Sequence, residues 1–150
     1  VSPRPVTIVE KREIKKLIVM DFIVICCGGG GIPVIREGRA FNGVEAVIDK
    51  DLASARLAEE IGVDLFIIAT DVDGVALNYG KADQKNLSRL TAAEANKYMA
   101  CGYFPSGSMG PKVEAAVQFV STCKGRAVIT SIENIERAVY GNSGTEFVAD

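Results

Sequence analysis

Apolar residues first recur at helical spacing. Ile14, Leu17 and Ile18 stand among Glu10, Lys11, Arg12, Lys15 and Lys16, which predicts an amphipathic helix over residues 9–19. The pattern then changes: residues 22–27, FIVICC, are apolar without a break, as in a strand covered on both faces. IPVIR and VEAVI flank a turn region at residues 37–43 and read as a hairpin. A helix is predicted from Asp51 to Ile61, with Ala53, Leu57 and Ile61 on one face and Gly62 as its stop. LFIIAT (65–70) reads as a second buried strand. Thr91 and Glu94 form a possible capping box for a helix that ends near Gly102. Pro111 suits the opening of another helix, which puts Val113, Ala116, Val117 and Val120 on one side. AVIT (127–130) is a third core strand. A short helix across Ile132, Ile135 and Val139 stops at Gly141, and TEFV adds a last strand. Strands alternating with helices predict an α/β fold: a three-layer α/β/α sandwich around a mainly parallel sheet.

Composition narrows this. The 150 residues fit one domain, and 48% hydrophobic content is enough for a core. Seventeen basic and 19 acidic residues give a net charge of −2 with no block of one sign, so neither a nucleic-acid nor a membrane-surface binder is predicted. No apolar run approaches the roughly 18 residues of a membrane span, and the start does not read as a signal peptide. There is no histidine, which excludes a His-based triad, and no C-x-x-C among Cys26, Cys27, Cys101 and Cys123. Cys26 and Cys27 close the apolar run and are predicted to be buried thiols of a reducing compartment, the cytoplasm.

Candidate chemistry gathers where strands end, because ligands of such sheets bind beyond the carboxyl ends of the strands. GGGG follows Cys27, TDVDG (70–74) follows LFIIA, and Thr130-Ser131 follows AVI. GSMGPK (107–112) instead precedes a helix. Gly107, Ser108 and Gly110 keep backbone N–H groups approachable at a helix start that favours anions, and Lys112 in that first turn is explained by a phosphate beside it. A solvated lysine reaching outward is the alternative. In VIDKD (47–51), Asp49 or Asp51 can cap the following helix, or the two carboxylates can hold Lys50 toward a transferring phosphoryl group. TDVDG can equally be an ordinary turn, with Asn78 and Tyr79 beyond it on the surface or in a base pocket. GGGG lacks a following G-K-[ST], and no G-x-G-x-x-G occurs, so neither a P-loop nor a dinucleotide fingerprint is present.

Taken in order, SPRP (2–5), CGGGGIPV (27–34), GVEAVIDKDLAS (43–54), TDVDG, NYG (78–80), GSMGPKVEAA (107–116), AVITS (127–131) and GT (144–145) resemble the carbamate kinase branch of the amino-acid kinase family. VIDKD with GSMGPK is specific to that branch; TDVDG alone marks the wider family. The resemblance spans nearly the whole chain and implies an amino-acid kinase-like fold, with residues 1–150 as its C-terminal, nucleotide-binding lobe. It implies phosphoryl transfer between carbamoyl phosphate and ADP, giving ATP and carbamate, with ATP/ADP and Mg2+ as cofactors. It also implies a homodimer that uses small-molecule substrates.

By position, the resemblance makes Lys112 a contact of the nucleotide phosphates and of the transferring group. Lys50 neutralises phosphoryl oxygens, and Asp51 organises the lysines. Thr70, Asp71, Val72, Tyr79, Met109 and Val113 fall where the family holds adenosine. Gly28 and Gly29, with Ser108 at the helix start, belong to the phosphate side, the glycine loop forming the floor of the cleft. No side chain is assigned to a metal. Two departures stand out: Tyr103 occupies a position where the family often has histidine, and the family's preceding lobe, with its Gly-Gly-Asn strand, has no counterpart here. The chain alone is therefore expected to bind adenine nucleotide weakly and to turn over little. A stand-alone nucleotide-binding or regulatory module, and a kinase acting on glutamate or acetylglutamate, are the competing readings.

Overall fold

The computed structural model of the chain describes residues 2–123 and 125–150. It divides into two units, Val1–Ile61 and Gly62–Asp150.

In the first unit the amphipathic spacing becomes helix α1, Lys11–Val19, which packs against α2, Lys50–Ile61, and buries Ile14. A polar clasp joins the stretch before α1 to the end of α2. The Glu60 carboxylate accepts from Lys11 Nζ at 2.7 Å, Thr7 Oγ1 at 2.5 Å and the Ile8 amide at 2.9 Å. Burial by itself raises the pKa of Glu60, but these hydrogen bonds, that from Lys11 foremost, outweigh it and hold the carboxyl below its ordinary value. Gly62, φ 77°, ends α2 in the left-handed conformation expected of it.

Two expectations fail in this unit. Residues 22–27 form no strand: Phe22, Ile23 and Ile25 are exposed, the two isoleucines at 97%, Cys26 is exposed and Cys27 half-buried. An apolar run becomes a buried strand only where other strands take up its backbone groups, and no described strand pairs with this one. The hairpin exists, but its antiparallel strands are β1, Val34–Glu37, and β2, Ala40–Gly43, with Glu37 opposite Ala40. Gly38, φ 63°, supplies a tight turn inside the expected turn region of residues 37–43, whose residues on either side of that turn form strand, so VEAVI lies beyond the hairpin.

The second unit carries the sheet. Its strands lie in the order β3 (Leu65–Thr70), β7 (Arg126–Ser131), β8 (Thr145–Val148) and β6 (Arg89–Thr91). β3 runs parallel to β7 in the register Leu65 to Arg126, and β6 runs parallel to β8, while β7 and β8 are antiparallel. The sheet is thus mixed and mainly parallel. Ala127 to Ser131 are buried in succession, so β7 is covered on both faces. Helix α4, Met109–Thr122, contacts β3, β7 and β8, and α5, Ile135–Val139, contacts β3 and β7. The core gathers Val113, Ala116, Phe119 and Val120 of α4 with Phe66, Ile68, Val128, Ile129 and Phe147; the Phe66 and Phe119 rings lie 5.4 Å apart. Helix α3, Ala92–Ala100, begins at the expected capping box: Thr91 Oγ1 accepts from the Glu94 amide, and the Glu94 carboxylate accepts from the Thr91 amide. The helix after Ser131 starts as a 3-10 turn, Ile132–Asn134, and its apolar residues Ile132, Ile135 and Val139 stay exposed. A two-stranded ribbon of β4 (Ala76–Leu77) and β5 (Lys85–Asn86) was not legible in the hydrophobic pattern, because strands of two residues carry no period.

Candidate functional site

β3 and β7 are parallel neighbours, so Thr70 and Ser131 both end at one edge of the sheet. Thr70 Oγ1 donates to Asp71 Oδ1 at 3.0 Å, which fixes the first residue of the loop beyond β3. The ribbon beyond that loop turns through Asn78 in the left-handed conformation, φ 52°. Asn78 Nδ2 donates to Asp83 at 2.7 Å and Gln84 Oε1 accepts from the Gly80 amide at 2.8 Å, and between them Tyr79 is exposed at the rim. The loop, the ribbon and the end of β7 enclose a cleft of about 520 Å3, lined by Asp71, Val72, Asp73 and Tyr79 together with Gln84, Asn86, Ser131 and Glu133.

Thr145 secures the back of the cleft. It is wholly buried, its hydroxyl accepts from the Val75 amide at 2.7 Å and donates to the Leu87 carbonyl at 2.5 Å. A β-carbon on Gly74 would stand 2.7 Å from that hydroxyl, so the glycine of TDVDG is required by close approach. At the side of the cleft, Asp73 Oδ1 accepts from Ser131 Oγ at 2.6 Å and from Asn134 Nδ2 at 2.8 Å. The Ser131 bond, followed by that from Asn134, holds the Asp73 carboxyl below the usual carboxylate range.

Of the residues singled out from sequence, Asp71, Val72 and Tyr79 line this cleft, whereas Thr70, Ser108, Met109 and Val113 do not. Val113 is wholly buried on the core-facing side of α4. At the start of α4 the Ser108 side chain makes no capping bond, and the chain turns instead through a hydrogen bond from the Gly110 amide to the Pro105 carbonyl at 2.8 Å. Gly110 is required there, since a β-carbon would stand 2.9 Å from that carbonyl. Lys112 is half-buried in the first turn of this helix.

Lys50 and Asp51 belong to the first unit, at the start of α2. Asp49 is the cap: its Oδ1 accepts from the amides of Asp51 at 2.8 Å and Leu52 at 3.1 Å. That leaves Asp51 buried in the first turn and Lys50 exposed. In the glycine loop, Gly28 and Gly29 have open space where a side chain would begin, but Gly30, φ 135°, backs onto the Ile48 carbonyl. Beside the loop, burial first and then the neighbouring Cys26 push the Cys27 thiol up to about 11, which keeps it protonated near neutral pH. Among the described residues, no three His, Cys, Asp or Glu side chains gather as a metal site, and no helix is long and apolar enough to cross a membrane.

The sequence of the chain matches the model of the amino acid kinase family over residues 1–131. The chain belongs to the amino acid kinase family. Among members of this family, a carbamate kinase of Thermococcus kodakarensis is 50% identical over 149 residues, 99% of this chain and 47% of its own. A carbamate kinase of Clostridium perfringens is 50% identical over 148 residues, 98% of this chain and 47% of its own. The solved carbamate kinase from Giardia lamblia bound to AMP-PNP is 43% identical with a TM-score of 0.96, over 99% of this chain and 52% of that one. The chain spans about half the length of the curated relatives it matches.

Ser131, Asn134, Gln84, Asn86 and Thr145 have no site role assigned from the sequence. For Ser131 the available signal was the polar pair Thr130-Ser131 at the end of a strand, and for Thr145 the GT pair at the start of one. Gln84, Asn86 and Asn134 stand among other polar residues and offered none.

Proposed function

We propose that the chain supplies the nucleotide-binding half of a carbamate kinase, the enzyme that moves a phosphoryl group from carbamoyl phosphate to ADP. A β-phosphate oxygen of ADP bonds to phosphorus, the bond from phosphorus to the carbamoyl oxygen breaks with its electron pair left on carbamate, and the products are ATP and carbamate. The observation that carries this reading is the cleft beyond the carboxyl ends of β3 and β7, in a chain 50% identical to carbamate kinases over nearly all its length. Asp71, Val72 and Tyr79 offer an aromatic rim and hydrogen-bond acceptors suited to a nucleoside. Lys50 and Lys112 supply the positive charge that phosphoryl transfer requires, and Asp51, buried beside Lys50 in sequence, orients charge in the first unit.

Magnesium fits this reading as an ion carried on the nucleotide phosphates and water, since the described side chains offer no cage of their own. It would neutralise charge on those phosphates. A homodimer and a cytoplasmic setting belong to the same reading, and the four free cysteines support the latter.

The exposed Phe22, Ile23 and Ile25 offer an apolar surface for the other half of a full-length kinase on this reading. The chain by itself is therefore expected to bind ADP saturably but weakly, and to form ATP from carbamoyl phosphate and ADP at a negligible rate. Calorimetric titration with ADP and a luciferase assay for ATP check both. Absence of saturable ADP binding, or turnover at an ordinary enzyme rate by the chain alone, overturns the proposal.

A further inference from the structure

Among the described acidic side chains that line the cleft, Asp73 is held by two side chains, one from β7 and one from the 3-10 turn. Ser131, which ends β7 and is 4% exposed, and Asn134, at the end of the 3-10 turn, both donate to the same oxygen, Oδ1. Asn134 Nδ2 also lies 2.9 Å from Ser131 Oγ, and Arg137 Nη1 lies 3.4 Å from Asn134 Oδ1, so the two donors are themselves braced. The second oxygen, Oδ2, has no hydrogen-bond partner among the described residues, although Asp73 lines the cleft. An exposed aspartate with one saturated oxygen presents the other in a set direction.

What such an oxygen accepts follows from its charge. It repels phosphate, and Asp71 and Glu133 on the same lining add to that repulsion, with Arg137 the cation nearest the network. The strongest partners for a carboxylate are hydroxyl donors, whose charge-assisted bonds are short and about twice as strong as neutral ones. On an adenine nucleotide these are the vicinal hydroxyls of the ribose. Dinucleotide-binding folds solve the same problem with an acidic side chain on the ribose.

We propose that Asp73 is a specificity-determining residue that accepts hydrogen bonds from the ribose hydroxyls, with Ser131 and Asn134 as the positioning residues that aim it. The inference rests on the nucleotide reading above and adds the subsite. The hydrogen bonds from Ser131 and then Asn134 that aim Asp73 also hold its carboxyl below the usual carboxylate range, so the acceptor is ionised at neutral pH.

Titration of the chain with ADP and with 2′,3′-dideoxy-ADP tests it. The wild-type chain binds ADP roughly tenfold more tightly than the dideoxy nucleotide, as expected for hydrogen bonds to a charged group. Asp73→Asn narrows that preference to about twofold while leaving dideoxy-ADP binding in place, since amide and carboxylate have the same shape. Ser131→Ala weakens the preference in part, and Ser131→Thr, which keeps the hydroxyl, restores it. Should Asp73→Asn fail to fold, the two nucleotides on the wild-type chain decide alone. Equal binding of both nucleotides by the wild type, or equal weakening of both by Asp73→Asn, overturns the subsite and leaves the nucleotide reading intact. Binding of neither nucleotide overturns both.

Discussion

A β-carbon on Gly30 would stand 1.9 Å from the Ile48 carbonyl oxygen, at a φ of 135° that side chains rarely adopt. Gly30→Ala is therefore expected to destabilise the chain by about 2 kcal/mol or more, because a backbone carbonyl cannot yield as a flexible side chain can. Gly29→Ala, with open space and no such φ, is expected to stay within about 0.5 kcal/mol. Chemical denaturation of both variants checks this, and equal stability would contradict it. The sequence presents four consecutive glycines as equivalent. Their separate reasons depend on which backbone lies behind each, and that is a tertiary fact. Asp49 teaches the same point: its capping role beside Asp51 and Lys50 was one of two readings, and two amide hydrogen bonds decide it. Val113, given to the adenosine side by its position in a motif, is wholly buried in the core by its face of the helix, which the motif alone does not reveal.

Among the elements, α2, α3 and α4 were legible because each combines a hydrophobic period with a local signal at one end, and α1 by its amphipathic period alone. The Thr91–Glu94 box is the clearest, since both of its hydrogen bonds close within four residues of sequence. The 22–27 run was misread because apolarity marks a demand for burial, not the presence of a neighbour to meet it. Elements joined by polar contacts of long sequence separation were illegible as well, the Glu60 clasp among them. Because the folded pKa of Glu60 is lowered, the clasp contributes stability that is fully present above the unfolded carboxyl's ordinary value of 4.5 and is lost as pH falls through the lower folded value. Glu60→Gln is expected to lower the melting midpoint at neutral pH, by roughly 1–2 kcal/mol of stability, and to flatten the acid decline below pH 4.5. Melting curves across pH measure it; a wild-type slope retained in the variant would contradict the assignment.

For the molecule as a whole, the sequence pattern specified an α/β class with a mainly parallel sheet, and motif order specified the family. The split into two units was not legible, because no linker composition marks the Ile61–Gly62 boundary. Nor was the antiparallel pairing of β7 with β8, since strand direction leaves no trace in a stretch as short as the four residues of β8. The chain carries the two lysines proposed for phosphoryl transfer and the cleft proposed for a nucleoside, and it spans about half the length of the relatives that it matches. The most direct measurement replaces the matching half of the Thermococcus kodakarensis carbamate kinase with this chain and follows ATP formation from carbamoyl phosphate and ADP, with and without Lys112→Ala. The account predicts an active chimera whose kcat falls at least about a hundredfold on that substitution while its KM for ADP changes far less. A chimera that binds ADP but forms no ATP, or one indifferent to Lys112→Ala, would contradict it.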